Sequence, residues 1–253
     1  MAQSFDDWLQ SLNPVTKGVF AAAVLLTAAI SMHIAPYTYF TLDTSAIMGL
    51  QLWRPFTAAL FFGKFSFPWL IAMAMFVSYL KYNEEYDYQG KTADFAWMLI
   101  LVVIGLTAGG LLLGLPIVSG ALLMALCWVF CKRHPQLRMK LYSFEFDAKT
   151  FPWVLALFHF ILGQNILEDA LGIVVGHLFF FLNDLIPLKH GTNPIATPSW
   201  FVRLTGLENG GVRFGGVHAG GQAFAARFAR QPPPAAAGGR PHHWGPGHRL
   251  GTT

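Results

Sequence analysis

Apolar residues gather in six long runs, at 18–34, 58–82, 95–113, 116–131, 151–162 and 171–188, with polar and charged residues bunched between them. Unbroken apolar stretches of roughly 20 residues predict membrane-spanning helices rather than half-buried soluble ones. Several runs are short. A helix of 17 or 18 residues reaches only about 26 Å, which suits a thin bilayer such as that of the endoplasmic reticulum, about 27 Å of hydrocarbon. The stretch 95–131 is too long for one span, and "LLLGLPI", with Gly114 and Pro116, predicts a tight hairpin between the third and fourth helices. The first run follows Asp6 and Asp7, with Lys17 its one leading base, and "HIAPYTYF" after it is a poor cleavage site. It therefore reads as a retained helix, not a signal peptide. The expected fold is an all-α membrane protein with six transmembrane helices.

Composition agrees with this pattern. Of 253 residues, 54% are hydrophobic and 12% charged, about half the charge of a soluble domain. Six spans put both termini on one side. Lys17, Lys81, Lys91, Lys132, Arg133, Arg138, Lys140 and Lys149 fall on that side, and only Arg54 and Lys64 on the other. The positive-inside bias assigns the crowded side to the cytosol. The same bias explains the net charge of +4 without nucleic acid, since no basic face with a recognisable binding fold is present. Cys127 and Cys131 lie one helical turn apart inside an apolar run, with no disulfide framework and no further zinc ligands nearby. No metal or cofactor is expected.

After Pro198 the composition turns to Gly, Ala and Pro. Such a segment buries too little apolar surface to offset its ordering entropy. The chain is therefore divided into a membrane domain, 1–200, and a flexible tail, 201–253, in which Ala223 and Arg230 bound the one helix-friendly piece. The tail closes on "HHWGPGHRLGTT".

Four groups of polar or small residues stand out against the apolar background. Gly172 and Gly176 form a G-x-x-x-G that lets another helix approach closely, and His177 follows directly, where an ionisable group is expected to face the bundle interior. Ser119 opens the fourth helix, so a Ser119–His177 dyad is a candidate nucleophile and base if the two meet. Trp53 and Arg54 precede the second run. They anchor at the interface, or they hold the loop 35–52 as a compact element. Glu84, Glu85, Asp87 and Asp94 between the second and third runs read as a solvated loop.

These stretches in this order resemble the derlins, rhomboid-like pseudoproteases of the endoplasmic reticulum. "LQLWRPFTAALFFGKFSF" is similar to the family's Trp-Arg loop and second span, and "YLKYNEEYDYQGKTADFAWMLI" to its acidic-aromatic loop and third span. "FPWVLALFHFILG" and "LGIVVGHLFFFLNDLIP" are similar to the fifth and sixth spans. The resemblance covers about 5–201. It implies a rhomboid-like bundle and a role in endoplasmic-reticulum-associated degradation, in protein transport and in the unfolded protein response. It implies as partners a membrane ubiquitin ligase complex, misfolded lumenal or membrane proteins, and the lipid bilayer. It also implies that the terminal box, 244–251, docks the cytosolic Cdc48-type ATPase, valosin-containing protein, through Trp244, Gly245, Gly247, Arg249, Leu250 and Gly251. Active rhomboids carry G-x-S-G where this chain has Ile117, Val118, Ser119 and Gly120, and they carry small residues where Phe181 and Leu185 stand here. The expectation is therefore no catalytic residue, with retrotranslocation and ATPase recruitment as the function. An intramembrane serine protease and a bare scaffold are the alternatives. A small-solute transporter fits least, because no inverted repeat is evident.

Overall fold

The structure is a computed structural model that describes residues 5–141 and 144–206. A short α1 (Phe5–Gln10) leads into α2 (Pro14–Ser31). Pro14 suits the first turn of α2, where its missing N–H would have no helical partner. A short 3₁₀ turn (Tyr37–Tyr39) and α3 (Thr44–Met48) follow, then α4 (Arg54–Leu60) and α5 (Phe67–Tyr82). The apolar run at 58–82 is thus two helices rather than one. Gly63 adopts φ +95°, and Ser66 accepts the Trp69 N–H to cap α5. The phenylalanines around Gly63 keep the stretch apolar, so hydropathy alone hides the break.

A π turn (Asn83–Asp87) links α5 to α6 (Thr92–Leu113), and α7 (Ser119–Arg133) follows the expected hairpin. Gly114 takes φ +68° there, the left-handed helix terminus that glycine favours. Next come an antiparallel hairpin of β1 (Arg138–Leu141) and β2 (Phe144–Asp147), then α8 (Phe151–Ile161) and α9 (Ile166–Phe180). A second π turn (Phe181–Leu185), α10 (Ile186–His190) and α11 (Ser199–Thr205) complete the described chain. The hairpin makes the fold mostly rather than wholly helical. α11 straddles the expected boundary at 200/201, and its Trp200 and Phe201 pack on Trp97 of α6.

Among the described residues, three stretches are long and apolar enough to cross a bilayer: Pro14–Ser31, Thr92–Leu113 and Ile166–His190. Helices α5, α7 and α8 have 16, 15 and 11 residues, or roughly 24, 22 and 16 Å at 1.5 Å per residue. Helix length therefore supports three crossings where the apolar runs predict six.

α7 forms the centre, with every residue from 121 to 131 buried, Cys127 and Cys131 among them as free thiols. α9 runs parallel to it. A Cβ on Gly172 would strike the Ala121 carbonyl oxygen and lie 2.8 Å from Met124 Cβ, and one on Gly176 would lie 2.9 Å from the Ala125 carbonyl oxygen. Four residues further along α9 thus means four further along α7. The adjoining face of α9, about 100° round, is received by a second pair of glycines, Gly105 and Gly109 of α6, against Val175 and Leu171. Without a hydrophobic drive between helices in lipid, such close backbone approach supplies the attraction.

Candidate functional site

The parallel pairing brings the starts of α7 and α9, Ser119 and Ile166, to one end of the bundle. A cleft of about 390 Å³ opens there between α5, α8 and α9. Ser119, His159, Glu168 and Asp169 line it with Lys64 and the aromatic ring of Trp69. Asp169 is buried and holds His159 through Nδ1, at 2.9 and 3.1 Å to its two oxygens. Glu168 lies over Gly120, where an added Cβ would sit 2.7 Å from its Oε2.

The candidate dyad is not assembled. The Ser119 hydroxyl donates to the Phe61 carbonyl at 2.8 Å. His177 is exposed on the outer face of α9, edge-on to Trp128 with ring centroids 6.0 Å apart. Trp128 stands nine residues beyond Ser119, roughly 13 Å along α7. The interior placement expected for His177 is therefore corrected. Gly176 faces Ala125, and the next residue of a helix turns about 100° away from that contact. His159 is the histidine that shares a cleft with Ser119. Neither helical spacing nor the G-x-x-x-G singles it out.

At the same end Arg54 is buried and organises the loop 35–52. Its Nη1 donates to the Thr38 and Thr41 carbonyls at 2.9 and 2.8 Å, and its Nε to Gln51 Oε1 at 2.6 Å. Leu42 N–H then reaches the Pro116 carbonyl at 2.8 Å, tying the loop to the α6–α7 hairpin. The compact-element reading therefore describes Arg54 better than snorkelling does. Trp53 caps the start of α4 with its ring exposed, so of the pair Arg54 makes the ties, joined by the Thr57 hydroxyl, which donates to the Phe40 carbonyl at 3.1 Å.

The opposite end holds a polar lock. Arg133 donates to Asp184 through Nε and Nη2 at 3.2 and 2.9 Å, to Asp87 at 3.2 Å and to the Tyr88 hydroxyl at 3.1 Å. His134 Nε2 meets the other Asp87 oxygen at 2.6 Å. Burial pushes the Tyr88 phenol up to about 12, with Arg133 pulling the other way, so it is neutral at physiological pH. Glu84 caps α2, accepting from the Val15 and Thr16 N–H groups at 3.1 and 2.8 Å and from the Thr16 hydroxyl at 2.6 Å. A carboxylate there satisfies orphan donors and meets the positive end of the helix dipole. Glu84 and Asp87 are thus buried ties, not members of a solvated loop.

The terminal box, with Trp244, Gly245, Gly247, Arg249, Leu250 and Gly251, lies outside the described residues. Among the described residues, no cluster of three metal-ligating side chains occurs.

The Der1-like family model matches residues 12–199. Among curated proteins, the chain is 31% identical to Derlin-1 of Mus musculus over 251 residues, 97% of each chain. It is 30% identical to Derlin-2 of Oryza sativa subsp. japonica over 249 residues, 88% of this chain and all of that one. It is 31% identical to Derlin-2.1 of Arabidopsis thaliana over 217 residues, 81% of this chain and 89% of that one.

Proposed function

The chain belongs to the Der1-like family, and on that premise we propose that it serves endoplasmic-reticulum-associated degradation without being an enzyme. It helps misfolded lumenal or membrane proteins reach the cytosol and recruits the Cdc48-type ATPase beside a membrane ubiquitin ligase. The observation that carries this reading is the family match across 12–199, which takes in the whole bundle. In this reading α2, α5, α6, α7, α8 and α9 all cross the membrane of the endoplasmic reticulum, with both termini cytosolic. The short helices draw the two bilayer surfaces together, since hydrophobic mismatch is relieved partly by lipid thinning. A thinned membrane beside a polar cleft lowers the barrier to moving polar chain. The cleft with His159, Glu168 and Asp169 faces the lumenal side, away from the basic loops.

In the same reading, the tail raises the local ATPase concentration through its terminal box. A peptide spanning 241–253 is expected to bind the ATPase amino-terminal domain in a calorimetric titration. Trp244→Ala and Leu250→Ala should each weaken it by roughly 30-fold, as loss of a buried anchor costs about 2 kcal/mol. Binding unchanged by both substitutions would remove the box from the mechanism.

One arrangement favours the intramembrane protease as a second reading. Ser119, His159 and Asp169 line one cleft, and the Asp–His contact is the one that orients a general base. Against it, the Ser119 proton goes to the Phe61 carbonyl. Purified protein is accordingly expected to leave a model transmembrane substrate uncut. Cleavage that disappears in both Ser119→Ala and His159→Ala would establish the protease instead.

A further inference from the structure

A groove of about 630 Å³ runs along α5 from Ile71 and Met75, which also border the cleft with Ser119, and ends under β1. Its polarity changes in one direction. Leu70, Ile71, Ala74 and Met75 line the deep part, Tyr82 and Tyr86 the middle, and Arg138 and Lys140 the mouth. From Leu70 to Tyr86 is about 24 Å of helical rise, so the groove follows nearly the whole of α5 and the π turn after it. The tyrosine rings sit where aromatic side chains meet the headgroup level. Tyr82 stacks on Phe130 at 5.4 Å between centroids, so this wall is fixed.

At the mouth β1 alternates. Met139 and Leu141 turn inward, while the Arg138 and Lys140 side chains are 73% and 72% exposed. Glu145 of β2 stands across from Lys140 at 3.0 Å and reaches Arg138 diagonally at 3.9 Å. Asp147 is the register partner of Arg138, so the hairpin as a whole is balanced, but neither carboxylate lines the groove, whose own wall carries the two cations.

We propose that this groove holds one anionic phospholipid, its acyl chain along the apolar face of α5 and its phosphate at Arg138 and Lys140. The deep wall decides between a lipid and a polypeptide. Ser78 beside it spends its hydroxyl on the Ala74 carbonyl at 2.7 Å, and Tyr79, which also lines the groove, is buried. A peptide in that wall would leave backbone donors and acceptors unsatisfied in hydrocarbon, whereas an acyl chain brings none. Basic pockets between helices favour anionic headgroups for the complementary reason. The inference stands apart from the proposed function, since it concerns a resident lipid and not a client.

The test is native mass spectrometry of the full chain titrated with phosphatidylinositol and with phosphatidylcholine of the same acyl chains. Phosphatidylinositol is expected to be retained about fivefold better, the factor one basic side chain gives at a membrane surface. Arg138→Gln with Lys140→Gln should equalise the two lipids, and Ala74→Trp should reduce both by filling the apolar part. Glycerol 3-phosphate without acyl chains should not compete. Equal retention by the unaltered chain, or a preference that survives the double substitution, would overturn the proposal. So would a copurifying polypeptide in the groove that neither lipid displaces.

Discussion

Gly172→Leu is expected to cost the bundle about 3 kcal/mol or more, lowering the thermal midpoint in detergent by roughly 6–12 °C. A Cβ at this position already strikes the Ala121 carbonyl oxygen and crowds Met124 Cβ. The carbonyl is backbone of the central helix, so it cannot rotate aside as a side-chain tip can. The leucine therefore pushes α9 off α7, and the close packing that holds helices together in lipid is lost along the whole seam. Gly109→Ala supplies the contrast. Its added Cβ would meet only the Leu171 side chain, crowding Cδ1, its movable end, with Cγ and Cδ2 at 3.4 and 3.5 Å. A smaller fall is expected there. A Gly172→Leu midpoint within about 2 °C of the unaltered protein would show that the seam is not tight.

Arg133→Ala is expected to be as severe, for an electrostatic reason. The guanidinium is 8% exposed and bridges Asp87 and Asp184, themselves 5% and 12% exposed. Removing it leaves two carboxylates with no cation between them, and breaking a buried pair in this way costs about 3–5 kcal/mol. Three segments come apart together, because the guanidinium joins the end of α7 to the π turns after α5 and α9. Arg133→Lys should recover part of the loss, since a single ammonium cannot repeat the two-pronged contact with Asp184. Arg133→Met combined with Asp87→Asn and Asp184→Asn should recover more than Arg133→Ala, because no buried charge then stands alone. Unfolding in detergent reads all three. A triple substitution less stable than Arg133→Ala would contradict the charge argument.

What could be read from sequence followed from local pattern. Each apolar run contains helix, the α6–α7 hairpin turns at Gly114, and Gly172 and Gly176 meet a helix. These follow from hydropathy, a glycine in a left-handed turn and a four-residue spacing, all within one segment. What escaped was set by partners far along the chain. Asp87 and Asp184 lie 46 and 51 residues from Arg133, so neither periodicity nor charge runs could show that they are buried together. Asp169 left a fainter mark. It sits three residues before Gly172, on the face of α9 that packs inward, where a carboxylate needs a partner. His159 then becomes the side chain to look for. The misplacement of His177 came from expecting an ionisable group in a span to turn inward, whereas the residue after Gly176 is rotated about 100° from the seam.

The turnover of a misfolded membrane client in derlin-depleted cells tests the degradation role most directly. The full chain is expected to restore degradation, and Ser119→Ala to restore it equally. Deletion of 244–251 should leave the protein inserted in the membrane and the client stable. Restoration by the deletion variant together with failure of Ser119→Ala would mean that the chain cuts its clients rather than passing them to the ATPase.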